Sequence, residues 1–247
     1  MIDIHCHVLH KIDDGAKDLG EAVRLCSIAE RQGLTDIIVT PHFADYDSID
    51  EFVSLREERL NELTEALEEE EIELNIKTGC ELYLDEMIFS APDLDRVTLN
   101  NSRYLLCEFS LRHFDFDEAL SWIDELIHRD YVPVIAHPER YNTFLRAPEF
   151  INEFASRKVL FQLNADSLTG GNGKSCFSLA CLMLENNLID FIGSDAHSPD
   201  FRANDLLTKS KYFPDFIERE TLEKLLEENP ASVLGDRRII LPERGVI

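Results

Sequence analysis

The chain has 247 residues, 44% of them hydrophobic, with 24 basic and 49 acidic side chains and a formal charge of −25. That length suits a single domain spanning residues 1–247 with a substantial core. The acidity argues against a nucleic-acid partner, because no basic patch overrides it. No apolar run reaches the roughly eighteen residues a membrane helix needs. No basic-then-apolar leader opens the sequence, so the expected location is cytoplasmic, without direct membrane insertion.

In chain order, Ile2–Ile4 reads as a brief strand. Asp18 and Glu21 form a capping box for a helix running to Gly33, with Leu19, Ala22, Val23, Cys26 and Ala29 on one face. Thr35–Thr40 is a buried strand, and residues 49–70 an amphipathic helix with Phe52, Leu60, Leu63 and Leu67 at helical spacing. Strands follow at Glu73–Thr78, Arg103–Glu108, Val132–Ala136, Val159–Leu163 and Ile189–Gly193. Helices are expected at Phe116–Arg129, Pro148–Arg157, Gly173–Asn187, 203–211 and 219–228. The end, Arg237–Ile247, reads as a tail tied down by Ile239, Ile240 and Leu241. Seven strands alternating with helices imply parallel βαβ units, in an open sheet or a closed barrel. No Gly-x-Gly-x-x-Gly follows the first strand, so a dinucleotide fold gains no support.

The chemistry-bearing residues fall at the ends of these strands. His5 and His7 end the first, His42 follows the second, and Glu81 the third. Glu108 and His137 end the next two, and Asp195 and His197 follow the last. In parallel α/β folds the C-terminal strand ends share one face, so these side chains would converge. Each alone is an ordinary loop residue, and Asp13-Asp14-Gly15 alone is an ordinary turn. Their joint placement is what points to a site. His10, His113 and His128 lack that placement and read as structural.

Imidazole with carboxylate suits manganese, iron or zinc rather than calcium. Nine candidate ligands, with Asp14 included, exceed the needs of two ions and suit three. Three divalent ions outweigh the four carboxylates and leave a local anion trap on an acidic protein. Arg140 and Arg202 lie just beyond His137 and His197 and could grip phosphate oxygens in a fork. Six cysteines occur without a Cys-x-x-Cys. Most of them read as small core residues in a reducing compartment. None has an arginine six positions later, so a cysteinyl-phosphate mechanism is excluded.

The phrases MIDIHCH, DDGAKD, TPHF, HPER and GSDAHS span nearly the whole chain. With the ligand set above, they resemble the polymerase-and-histidinol-phosphatase (PHP) superfamily. More narrowly, the chain is similar to the bacterial PHP-type protein tyrosine phosphatases of capsule and exopolysaccharide operons. The resemblance implies a distorted (β/α)7 TIM-like barrel and a site of three divalent metal ions, often manganese. It implies one ion at His5, His7, Glu81 and Asp195. A second would take Glu81 as a bridge with Glu108 and His137, and a third Asp14, His42 and His197. Arg140 and Arg202 would contact the substrate phosphate, with a metal-bound hydroxide as nucleophile. The implied partner is a phosphotyrosine protein, the C-terminal tail of a bacterial tyrosine kinase. The family usually has Pro-Gly after the first histidine motif, where this chain has His10-Lys11. Alternatives are a PHP-type phosphatase of a small alcohol phosphate such as histidinol phosphate, an amidohydrolase-type carbon–nitrogen hydrolase, and a binding protein without metal. The amidohydrolase reading is weakened because those enzymes place a bridging lysine where Glu108 stands.

Overall fold

The computed structural model describes residues 1–247. Nine parallel strands make its framework: β1 Ile2–Cys6, β2 Asp36–Val39, β3 His42–Phe43, β4 Asn75–Thr78, β5 Glu81–Tyr83, β6 Tyr104–Glu108, β7 Val132–Ala136, β8 Leu160–Asn164 and β9 Phe191–Gly193. They form a three-stranded sheet in the order β1-β2-β4 and a six-stranded sheet in the order β3-β5-β6-β7-β8-β9. The nine exceed the seven expected because two short strands, β3 and β5, follow just past the ends of the expected second and third. Pro41 has no N–H for the ladder, so β2 stops at Val39 and β3 restarts at His42 in the other sheet. Gly79 and Cys80 separate β4 from β5. The breaks are bonded across, by Gly79 N–H to the Val39 carbonyl at 2.9 Å and Glu81 N–H to the Pro41 carbonyl at 3.1 Å.

Helices α1 Leu19–Arg31, α2 Ile49–Glu69 and α3 Phe116–His128 pack against the sheets. Asp18 caps α1 by accepting from Glu21 N–H at 2.9 Å, and Asp115 caps α3 through Glu118 N–H at 3.0 Å. Short helices follow: α4 Asn142–Arg146, α5 Ile151–Ser156 and α6 Ala165–Leu168. Of these, α5 is the helical part of the expected Pro148–Arg157 segment, and α4 and α6 are too short for a periodic signal. Then come α7 Lys174–Glu185, α8 Leu206–Ser210, α9 Arg219–Glu223 and α10 Asn229–Leu234. A π-turn at Lys224–Glu228 joins α9 to α10, so the last helical run extends past its expected end. Pro230 sits in the first turn of α10, directly after the π-turn.

Two cores result. A cluster of 53 buried residues fills the space between strands and helices. A second, of 11 residues, takes Ile2 and Ile4 from β1, Ile38 from β2, Tyr104 and Leu106 from β6, and Val134 and Ala136 from β7. Alternation sends the intervening Leu105, Cys107 and Ile135 into the larger cluster. Cys6 also belongs to the larger cluster, while Ile4 belongs to the smaller. The register against β2 shifts between Asp3 and Cys6, a local irregularity that re-aims the side chains beyond it. By alternation His5 and His7 project from the side opposite Cys6.

β1 also meets the segment after β9. Cys6 forms a parallel bridge with Ala196. Asp195 N–H donates to the His5 carbonyl and His7 N–H to the Ala196 carbonyl, both at 2.8 Å. The buried Asp3 carboxylate accepts from Ser194 N–H at 3.1 Å and Ser194 Oγ–H at 2.6 Å.

The C-terminal tail is held differently from expectation. Ile239 and Leu241 pack on the smaller core, but Ile240 is 87% exposed, as an extended segment requires of the residue between them. The stronger anchor is Arg244, which donates to the Val159 carbonyl at 2.7 Å and to Asp190 at 2.6 Å. Burial raises the Asp190 carboxyl to about 6, against the pull of Arg244. Its folded pKa lies above the unfolded one, so its contribution to stability is present at low pH and lost as pH rises through about 6. Arg244→Ala should therefore cost about 3–5 kcal/mol above that pH, where a buried carboxylate is left unpaired, and less at pH 5. Urea melts at the two pH values measure the difference.

Candidate metal centre

Glu81 is the centre of the cluster. It opens β5, is fully buried, and has ring nitrogens on both oxygens. His5 Nε2 lies 3.2 Å, His7 Nε2 3.3 Å and His42 Nδ1 3.2 Å from its Oε2. His137 Nε2 lies 2.8 Å from its Oε1. Glu108, at the end of β6, sits 3.0 Å from His42 Nδ1 and 4.0 Å from His137 Nε2. Asp195 Oδ1 is 3.5 Å from both His5 and His7, and 3.4 Å from His197 Nδ1. Asp14, largely exposed, bridges the rim at 3.5 Å from His42 and 3.4 Å from His197.

All nine residues expected as ligands thus come together, and both arginines join them. Arg140 donates to Asp195 Oδ2 at 2.9 Å, and Arg202 pairs with the same oxygen. Four groups have ligand atoms close enough to share one ion: His5-His7-Glu81, His5-His137-Asp195, His42-Glu81-Glu108 and His7-Asp14-His42-His197. His42 belongs to two of them, facing Glu108 with Nδ1 and Asp14 with Nε2. His10 lies outside, paired with Glu62 at 2.9 Å. Lys11 has φ of 56°, the left-handed backbone that suits the glycine usual at that position.

Residues that sequence reading passed over fix the geometry. Asp13 accepts from His7 Nδ1–H at 2.7 Å and from His42 N–H at 3.0 Å. Gln162 Oε1 accepts from His5 Nδ1–H at 2.7 Å, its amide group being spent on the Leu163 carbonyl and Asn164. Asn164 donates to Asp195 Oδ2 at 2.6 Å and is itself held by Glu139 through its N–H at 3.1 Å. The adjacent Asp13-Asp14 pair was the one available signal; Gln162 and Asn164 lie in a strand that carried no ligand-type residue. Close packing adds to the precision: a Cβ on Gly193 would lie 2.9 Å from Gln162 Nε2 and 3.1 Å from His5 Cβ. His137 and Asp195 both take positive φ, 34° and 50°, a strained backbone of the kind that collects at functional sites.

These supports also decide whether the cluster fits a cation. With Nδ1 of His5 and His7 both engaged as donors, their neutral rings present bare Nε2 lone pairs, 3.2 Å apart and both facing Glu81. Glu81 Oε2 and His42 Nδ1 are buried without a properly formed hydrogen bond. Lone pairs facing one another around a buried carboxylate are stable only with positive charge among them, as protons or as metal ions. Without metal, the protons answer. Desolvation opposes charge on His7 and His42, but hydrogen bonds and charge from Asp13, Glu81 and Glu108 raise both to about 9. Burial and the neighbouring His7 lower His197 to about 4. Although burial opposes ionisation of Glu81, His5 and His137 hold it well below the ordinary carboxyl range.

Fold and site together define a class, the parallel α/β proteins that gather imidazoles and carboxylates at strand C-termini as metal-dependent hydrolases do. Residues 1–235 match the family described as capsular polysaccharide synthesis, CpsB/CapC, and the chain belongs to that family. It is 34% identical to CapC of Staphylococcus aureus over 97% of this chain and 93% of that protein. It is 33% identical to the tyrosine-protein phosphatase YwqE of Bacillus subtilis, over 80% of this chain and 78% of that one. Among solved structures it matches one from the set of YwqE and Streptococcus pneumoniae CpsB, described as metal-dependent tyrosine phosphatases. That match has a TM-score of 0.84 at 28% identity over 100% of this chain and 99% of the other.

Replacing Asp13 with Asn removes the charge that raises His7. In metal-free protein, Asp13→Asn should bring the His7 titration below about 9, read by NMR of the ring nitrogens.

Proposed function

We propose that this protein is a metal-dependent tyrosine phosphatase that hydrolyses phosphotyrosine on a protein, with three divalent ions, manganese foremost, as cofactors. The observation that carries this reading is the cluster of five imidazoles and four carboxylates, with Glu81 at its centre, in a chain related to YwqE and CapC. His5, His7, Glu81 and Asp195 would hold one ion. Glu81, Glu108 and His137 would hold a second, with His42 within reach, and Asp14, His42 and His197 a third. Ions bound there would supply hydroxide near neutral pH, by lowering the pKa of water to about 7, and positive charge for the phosphoryl group.

The chain's own residues do the rest. Asp13 and Gln162 fix the tautomers of His7 and His5, keeping both Nε2 atoms aimed inward. Arg140 and Arg202 are partly exposed and share Asp195 Oδ2, so a phosphoryl oxygen arriving beside that carboxylate meets two guanidinium forks. Phenolate leaves readily, since a tyrosine phenol has a pKa of about 10, and little is asked of a general acid. A thiol mechanism has no candidate. Cys6, Cys26, Cys80 and Cys107 are buried, and desolvation raises all six thiols.

The same reading includes a single domain in which the parallel strands form one distorted (β/α)7 barrel. It is supported by the hydrogen bonds between β1 and residues 195–196 and by the core shared across both sheets. It also includes a cytoplasmic location and, as substrate, the phosphotyrosine tail of a bacterial tyrosine kinase. No helix is long and apolar enough to cross a membrane, and all six cysteines are free, as a reducing compartment requires.

Chelation should abolish hydrolysis of a phosphotyrosine peptide, and manganese should restore it. His137→Ala should lose activity with the fold retained by circular dichroism, and Arg140→Ala should lower kcat/KM about a hundredfold. Cys107→Ser should leave turnover unchanged. Faster turnover of histidinol phosphate than of the peptide, or inactivation by thiol alkylation with metal still bound, would overturn the reading.

A further inference from the structure

A second concentration of positive charge lies at the opposite ends of the strands. Between the first residues of β6, β7 and β8 and the C-terminal tail is a cavity of about 470 Å³. Arg103, Arg157, Lys158 and Arg238 border it, against one acid, Asp130. On a chain with 24 basic and 49 acidic residues, this local excess of cations runs against the surface as a whole. Two of the four are already neutralised. Arg103 is paired in two-pronged fashion with Asp236, at 2.9 and 3.0 Å. Arg157 pairs with Asp124 at 2.9 Å and Glu153 at 3.3 Å. Lys158 and Arg238 are exposed and have no acidic partner within 4.0 Å.

The remaining wall is apolar. Ile127, Leu160, Ile239 and Leu241 line it, and Ile127 is 37% exposed. Extended backbone in the tail turns Ile239 and Leu241 inward and leaves Ile240 outside. Two unanswered cations beside an apolar wall match a dianionic head joined to an apolar body. The volume is within the usual small-molecule range of roughly 300–1,000 Å³.

We propose that this cavity binds a small amphiphilic anion, its phosphate head on Lys158 and Arg238 and its apolar body against Ile127, Leu160, Ile239 and Leu241. It is separate from the metal centre. β6 runs from Tyr104 at the cavity to Glu108 at the ligand cluster, a span of roughly 13 Å for a strand of this length. Both sites can therefore be filled at once, and the inference does not depend on the phosphatase reading.

Dodecyl phosphate below its micelle concentration is a suitable probe, titrated calorimetrically into the full chain. One molecule should bind per chain. The exposed double variant Lys158→Glu/Arg238→Glu should weaken binding about tenfold or more, as loss of charge-assisted contacts does. It should leave phosphotyrosine-peptide turnover unchanged. Lys211→Glu, a charge reversal outside the cavity, and Arg140→Ala, in the metal centre, should bind as the wild type does. Absence of binding, or equal binding by the double variant, would overturn the proposal. Loss in Arg140→Ala would transfer the ligand to the metal centre. Binding to phosphatidylglycerol vesicles without binding to monomeric dodecyl phosphate would replace the cavity with a lipid surface and equally refute it.

Discussion

A carboxylate cut off from water persists only where positive charge answers it, and Glu81 sets that condition for the rest of this molecule. Four imidazoles reach it from β1, β3 and the end of β7, so those segments must deliver side chains to one point within tenths of an ångström. The local irregularities serve that convergence. Alternation in β1 turns His5 and His7 away from Cys6, and the register against β2 shifts in the same stretch. The break at Pro41 moves His42 into the sheet that holds Glu81. Left-handed backbone occurs at His137, directly after β7, and at Asp195, two residues past β9, where both side chains join the cluster. Each departure from regular structure carries a cost that the convergence on Glu81 must offset.

Asp195 divides this environment in two. One oxygen faces the histidines, and the other faces Arg140, Arg202 and Asn164. A single carboxylate thus marks the boundary between the groups suited to hold cations and the groups suited to hold an anion. That division matters on a chain of charge −25, whose long-range field opposes a phosphorylated substrate. Capture must then come from charges close enough to escape screening, within the roughly 8 Å over which salt leaves them effective.

Much of this was legible in the sequence because parallel strands carry two signals at once. Apolar runs such as those at Val132–Ala136 mark the strand, and the polar residue that ends the run marks the face. The strand and the position of His137 at its end could be read from the same few letters. The supporting shell was less legible. Gln162 lies inside an apolar run, and alternation alone gives no reason for its amide to face His5. Asn164 and Glu139 act through contacts between segments 25 residues apart, which no local pattern encodes. Asp13 was hidden for the opposite reason: an Asp-Asp-Gly turn explains itself without any partner. The tail misled through composition. Three consecutive apolar residues suggested three anchors, but extended backbone buries only alternate ones, and a buried guanidinium from Arg244 supplies the main tether.

The contact between β1 and the segment after β9 has a consequence for how the molecule is made. Asp3 and Ser194 are 191 residues apart and meet as neighbours. During synthesis the first strand leaves the ribosome long before its partner exists. Its histidines can find β2 early, but the Asp195 side of their environment arrives only when most of the chain has been translated. Such long-range closure is slow, because loop entropy is spent before the contact rewards it. The ligand cluster is therefore completed late in folding.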